Sequence, residues 1–343
     1  MLKPSNLIDY RKISNITAAG KSLIAQSTKM DFEKNAYKNE IWKYSKNTWK
    51  KFKGSKTSNF SMPQYSNNKK LISYIKSTKK GKKNISSLCV QSGNSIKIIF
   101  ETEDSIENYY WVPKDNFIYI VTKEWSKPFK SIDDKEMEPL YLENIPFRFD
   151  TRGIIYNKRN HLYKVNVSST KSQKIIDGDK EDFISIGSVV ESGSSVYFTA
   201  SCYSKSGSTL DEKIIKKTGN KLKTIHTEGM WGKLFIFNDE LYGIGLDKRF
   251  DWPTNISIRQ IKDTGKTTLL YPDLDRPVTN VKCTDSHMYI LYEDSGKQLL
   301  AKGNGKSIEK LIDEEITISD FEINSNKISV VANTFSSKMK YMN

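Results

Sequence analysis

A unit of about 46 residues recurs along the chain, and no other feature restricts its fold as severely. Each copy is a strand pattern, a tight polar turn, and a second strand rich in aliphatic and aromatic residues. Pro63–Tyr74 shows it most clearly. Further copies are Tyr110–Tyr119, Val189–Phe198, Phe235–Tyr242 and Cys283–Ile290, and the outermost are Thr17–Ile24 and Ile323–Val330. The first apolar residues after these turns are Leu23, Leu71, Phe117, Val196, Leu241, Met288 and Ile328, separated by 48, 46, 79, 45, 47 and 40 residues. Five of the six gaps lie near the length of a four-stranded propeller blade. The turns use Gly, Asn, Asp and Ser, which tolerate positive φ and favour tight hairpins. Second strand pairs follow the first, as in His161–Val165 with Lys174–Ile176 and Leu299–Ala301 with Ile308–Ile312. One such sheet cannot bury both its faces alone, so the copies must stack radially around a channel. The spacing predicts an all-β fold, a seven-bladed β-propeller with an incomplete last blade. A single domain is expected over 1–343, with blades near 11–54, 58–101, 103–177, 179–225, 227–271, 272–312 and 313–343.

Two irregularities interrupt the repeat. The 79-residue gap places an insert at about 123–155 in the third blade, carrying Pro128, Pro139, Pro146 and several acidic residues. Long excursions of this kind are frequently functional. The insert is expected to project from one face of the blade and to add no blade of its own. At the other end, Met339–Asn343 reads as the start of a third strand in the last blade, whose outermost strand is then expected to be missing.

Hydrophobic residues make up 37% of the 343, enough for a core, but they come in short runs far below a membrane span. The opening residues Met1–Asn6 lack the apolar stretch of a signal peptide. Cys89, Cys202 and Cys283 are odd in number and widely separated, which suits strand packing in a reducing compartment, and a cytoplasmic protein is expected. The formal charge of +15 is uneven, because residues 1–90 hold 20 Lys and Arg against 4 Asp and Glu. Such a block could draw a polyanion, nucleic acid first. Against that, lysines dominate where base readout favours arginine, and a run such as Lys79–Lys83 reads as a solvated turn tip. The sequence balance is against a nucleic-acid partner, and no membrane partner is expected.

No G-x-S-x-G pentapeptide is present, so the nucleophile elbow of an α/β-hydrolase is absent from these residues. His161, His226 and His287 each lie in or beside a strand pattern without a ligand at metal spacing, and neither a metal nor a cofactor is expected. Gly303–Ser307 ends like a phosphate-binding loop. The position where that motif needs its first glycine is Leu300, and a strand pattern follows where a helix is required, so a hairpin turn is expected. Trp231, Phe250 and Trp252 are expected to be buried between blades.

Beyond the generic repeat, Asp31–Trp42 resembles the first-blade signature of acylaminoacyl-peptidase-like enzymes, an acidic, Asn and Tyr segment running into an Ile-Trp strand. Pro146–Gly153, Arg159–Val165 and the turn Asp177-Gly178-Asp179 resemble their middle-blade signature. The chain thus resembles, over its whole length, the propeller of a prolyl-oligopeptidase-family serine peptidase. That resemblance implies a propeller capping a separate hydrolase that supplies Ser, Asp and His, and restricting access to oligopeptides. It also implies a substrate-gating or regulatory role without catalytic residues, with a hydrolase domain or chain and an oligopeptide as partners. Arg148, Asp150, Arg152, Arg159 and His161 cluster where the resemblance is densest. They are candidates for a charged rim that orders the insert and contacts peptide or hydrolase; the other reading is that Arg148 and Asp150 form ion pairs that pin the insert to its own blade. The alternative is a stand-alone propeller that binds a protein or peptide.

Overall fold

The computed structural model describes residues 10–81, 83–126, 142–149, 153–248, 254–312, 316–324, 327–334 and 337–342. Consecutive antiparallel strands build its sheets. The first blade holds β1 (Arg11–Ala19), β2 (Ser22–Asp31), β3 (Ala36–Ser45) and β4 (Thr48–Lys53). The second holds β5 (Ser58–Tyr65), β6 (Ile72–Lys80), β7 (Lys83–Ser92) and β8 (Ser95–Thr102). In the third, β9 (Ser105–Trp111) and β10 (Phe117–Trp125) are separated from β13 (Lys158–Asn166) and β14 (Ser172–Ile176) by the insert. The described part of the insert forms a two-stranded sheet, β11 (Arg148–Phe149) and β12 (Gly153–Ile154), and no blade. A single helical turn, α1 (Gly178–Glu181), leads into the fourth blade, β15 (Ser185–Ser192), β16 (Ser195–Tyr203), β17 (Leu210–Thr218) and β18 (Lys221–His226). The fifth is β19 (Met230–Phe237), β20 (Glu240–Leu246), β21 (Ser257–Ile261) and β22 (Thr267–Leu269). The sixth is β23 (Val278–Cys283), β24 (Met288–Asp294), β25 (Lys297–Gly303) and β26 (Ile308–Lys310). The last sheet has three strands, β27 (Ile316–Asn324), β28 (Lys327–Thr334) and β29 (Ser337–Met342).

The architecture is an all-β propeller with six complete blades, which corrects the expectation of seven. The repeat counts inner hairpins, and β27–β28 supplies one more; a hairpin alone does not specify how many outer strands pair with it. The turns are as tight as the sequence requires. Asn238 and Asp239 both sit at positive φ (49° and 61°) between β19 and β20, the conformation of a two-residue hairpin loop matched to strand twist. Gly303–Ser307 is the turn between β25 and β26.

Apolar side chains alternate along the strands and meet between neighbouring sheets. Phe60, Tyr74 and Ile24 join blades one and two, and Ile75, Leu88, Tyr109 and Ile118 join two and three. Thirteen buried residues, among them Tyr119, Leu162, Phe183 and Phe198, form the cluster of blades three and four. Ile214, Trp231 and Leu234 join blades four and five, while Tyr242, Ile258 and Val281 join five and six. Leu300, Phe321 and Val330 pack blade six on the last sheet, and Ile16, Ala25 and Val331 pack that sheet on blade one. Among the described residues, therefore, the ring closes by side-chain packing, with no strand shared between its first and last sheets.

Every inner strand carries a register shift against its partner, between Ser14 and Thr17, Ser61 and Gln64, Ile186 and Val189, Trp231 and Lys233, Val278 and Asn280, and Ile318 and Asp320. In blade three the extra residue is Glu107 of β9, between Ile106 and Asn108, opposite the consecutive Val121 and Thr122 of β10. Such bulges increase twist and re-aim side chains. Beyond them, Asn108, Asn280 and Asp320 each accept the N–H of the next residue with their own Oδ1, at 2.8, 2.9 and 2.8 Å. No helix among the described residues is long and apolar enough to cross a membrane.

Candidate functional site

The third blade gathers the charged candidates because its second and third strands run past each other in register. Thr122 pairs with His161, Lys123 with Asn160, and Glu124 with Arg159. The turn Asp177-Gly178-Asp179 then folds back over β13. Asp177 caps α1 by accepting the Asp179 N–H at 3.3 Å. A side chain at Gly178 would stand 2.0 Å from the Asn160 carbonyl oxygen, so the close approach requires glycine.

His161 is 1% exposed. Its Nδ1 accepts the Gly178 N–H at 3.1 Å, which places the proton of the neutral ring on Nε2. That atom lies 3.6 Å from Glu124 Oε2 and makes no hydrogen bond among the described residues. Burial pushes the ring's pKa down, with Lys174 adding to the effect against the pull of Glu124, Asp179 and Asp177. Burial also opposes ionisation of Glu124, but O–H donors from Thr122 (2.7 Å) and Tyr163 (2.8 Å), with His161 and Lys174 nearby, hold its carboxyl below the usual range. Lys174 Nζ completes the group, 3.3 Å from Glu124 Oε2 and 3.1 Å from His161 Nδ1. His161, Asp177 and Asp179 each place one ligand atom within 4.8 Å of the others. The Lys174 ammonium and the Gly178 N–H already occupy the imidazole nitrogen that faces the two aspartates, so positive charge there comes from a side chain of the protein.

Arg159 belongs to a second network. Its Nε and Nη2 both reach Asp182 Oδ1 at 2.7 Å, and Nη1 donates to the carbonyls of Tyr156 (2.8 Å) and Lys158 (2.9 Å). Asp182 sits in the left-handed region after α1. Arg159 thus ties the foot of the insert to the start of blade four. The insert is also anchored there by Ile145 N–H to Gly207 O (2.7 Å) and Tyr203 O–H to Pro146 O (3.0 Å). Arg148 lies exposed in β11; Asp150 and Arg152 lie outside the described residues, as do Phe250 and Trp252. Trp231 is buried, at the interface of blades four and five. The structure therefore brings Arg159 and His161 to the two ends of one turn, His161 accepting from Gly178 and Arg159 paired with Asp182.

Two cavities escaped the sequence reading. Beside the insert, a cavity of about 360 Å³ is lined by Glu107, Asn108, Tyr110, Asn160, Glu212 and Trp231. In the channel a second, of about 380 Å³, is lined by Gln64, Trp111, Ser188, Lys233 and Phe235. Their lining comes from different blades, and in the first cavity from third strands (Asn160, Glu212) as well as inner ones (Glu107, Trp231), so no single stretch of sequence signals it.

No family model and no curated protein sequence matches the chain. Solved structures do match in fold. The chain is similar to Pyrococcus horikoshii acylaminoacyl peptidase at 13% identity and a TM-score of 0.76, over 97% of this chain and 51% of that one. It is similar to the β-propeller domain of the Trilobed protease from Pyrococcus furiosus, described as having an open velcro topology. Identity there is 14% and the TM-score 0.70, with 97% and 94% of the two chains covered. A puromycin-hydrolyzing peptidase of Mycobacterium tuberculosis matches at 10% identity and a TM-score of 0.64, over 98% and 52%. The chain spans about half the length of the two full peptidases.

Proposed function

We propose that this propeller is the non-catalytic, substrate-gating part of an acylaminoacyl-peptidase-like serine peptidase, acting with a hydrolase domain or chain on oligopeptides. The observation that carries the reading is the match in fold over nearly the whole chain to the corresponding half of a peptidase. The missing G-x-S-x-G supports it from the sequence side. We treat the chain as one propeller domain whose three-stranded last sheet, β27–β29, packs on blade six through Phe321 and on blade one through Val331. In this reading Arg148, exposed at the insert, contacts peptide or hydrolase together with Asp150 and Arg152. Arg159 and His161 are positioning residues that hold the insert's foot.

The test has two arms. Purified chain incubated with acyl-peptide and ester substrates is expected to show no turnover. Turnover that is blocked by a serine-directed phosphonate and survives further purification overturns the proposal. Immunoprecipitation from native cells is expected to bring down acyl-peptide hydrolysis, and Arg148→Glu to weaken that association. If the protein precipitates without such activity, the stand-alone binding propeller replaces this reading.

A further inference from the structure

The groove between blades one and two combines three properties. Its volume, about 640 Å³, exceeds the 360 and 380 Å³ of the two cavities above. Its lining carries Lys34, Lys38, Lys56 and Lys79 against one carboxylate, Asp31. The flanking blades concentrate the charge of the whole chain, with 20 Lys and Arg against 4 Asp and Glu between Arg11 and Thr102. Finally, Tyr37 in its lining is 66% exposed, and Phe32, five residues earlier on the β2–β3 hairpin, is 54% exposed.

The geometry is fixed by two hairpins that rise on the same side. At the tip of β2–β3, Lys29 pairs across the strands with Lys38 and Met30 with Tyr37, and the Asn35 N–H closes on Phe32 O at 3.3 Å. At the tip of β6–β7, Lys79 pairs with Asn84 and Lys80 with Lys83. The floor joins the blades directly: Lys38 Nζ donates to Ser58 O (2.6 Å), the Asn39 N–H to Asn59 Oδ1 (3.1 Å), and Ser58 and Thr78 share a hydroxyl bond (2.9 Å). Burial and the repulsion of Lys34 push the pKa of Lys38 down, as expected where positive charge is crowded.

We propose that this groove binds a single strand of nucleic acid without sequence preference. Lysine ammoniums act as point charges that track phosphates, and they lack the planar fork that reads base edges. Aromatic rings beside such a track are platforms on which unpaired bases stack, a use that a duplex with its bases buried cannot make of them. Hydroxyl and amide groups of Thr57, Ser77 and Asn84 complete a lining suited to sugar and phosphate oxygens. The charge alone was compatible with solvated turn tips. What changes the balance is that folding sets Lys34 and Lys79, 45 residues apart in the chain and on different blades, in the lining of one groove together with Tyr37.

The test is fluorescence anisotropy of the chain with labelled twelve-nucleotide poly-dT and poly-U, compared with a duplex of equal length, phosphatidylserine vesicles and poly-glutamate. Single strands are expected to bind more tightly than all three. The logarithm of the binding constant should fall against the logarithm of salt concentration with a slope of about −3, as for four phosphates. Tyr37→Ala and Phe32→Ala should each weaken binding about five-fold or more while leaving that slope unchanged. Lys34→Gln and Lys79→Gln should each reduce the slope by about 0.7. Lys306→Glu, on a turn of blade six, is the charge control and should change neither. All five positions are solvent-facing, and circular dichroism and melting should match the parent. Equal binding of duplex, vesicle or poly-glutamate, or an unchanged affinity in both aromatic variants, overturns the proposal.

Discussion

The interface of blades three and four and the interface that closes the ring are built from the same hairpin unit, yet they differ in kind. The first holds thirteen buried side chains, with Phe183 and Phe198 edge-on at 6.0 Å and the α1 turn wedged against β13. Among the described residues the second holds Ile16, Ala25 and Val331, with Ile13 and Trp49 partly buried beside them. Its remaining links are polar. The Ile16 N–H donates to Asp320 Oδ2 at 2.9 Å, and the Asn324 side-chain amide donates to Gly20 O. Apolar burial scales with area and does not depend on one bond. A polar latch depends on one geometry and exchanges readily with water. The ring is thus welded in one sector and fastened in another.

The comparison breaks most visibly at its strong side. Phe198→Ala, at a fully buried site, is expected to cost about 3–5 kcal/mol in denaturant unfolding, the range for deleting a core aromatic ring. Gly178→Ala should cost roughly 3 kcal/mol, because its methyl group meets the Asn160 carbonyl oxygen and the turn must lift away. A loss below about 1 kcal/mol in both variants would show that blades three and four are not the welded sector.

A charge between blades five and six sharpens the contrast. Lys233 donates to Asn280 Oδ1 at 2.9 Å and to Val281 O at 2.5 Å, and burial, with the repulsion of Lys282, pushes its pKa down to about 8. Between about pH 8 and 10.5 the unfolded chain holds a proton on this lysine that the folded chain has released, so stability rises with pH in that window. Lys233→Met should abolish this rise, worth on the order of 1–3 kcal/mol. Chemical unfolding of both proteins at pH 7, 8, 9 and 10 measures it, and parallel curves would contradict it.

The smallest effect belongs to the latch. Asp320→Ala should cost about 1–2 kcal/mol by leaving the Ile16 N–H without its acceptor. Its signature is local. Hydrogen exchange should accelerate in β1, β27 and β28 and stay unchanged in β15 and β16. In the parent protein the closing sheet should already exchange before blade four. Equal protection of the two sectors would show that the latch is stronger than its few contacts imply.

Much of this arrangement was legible before any coordinates. Alternation of apolar and polar residues with a polar turn is a local signal, and six of the seven marker residues, from Leu23 to Ile328, fall in second strands, with Leu71 immediately before β6. The insert announced itself as a gap in the period. The missing nucleophile elbow is also a property of the sequence alone.

Other features depended on partners far along the chain. Outer strands pair only if neighbouring segments reach them, so seven hairpins give six four-stranded blades and one three-stranded sheet. His161 looked like a surface contact and became a buried acceptor, because the Gly178 turn closes over it from seventeen residues away. The bulges leave little trace in the sequence, since an extra residue in one strand is defined only against its partner. Likewise the lysines of blades one and two had a count and a sign, but no address until two hairpins set them in the lining of one groove. Local periodicity and turn chemistry determined the strands, while long-range packing decided which strands, charges and rings meet, since that choice is made by contacts that no sequence window contains.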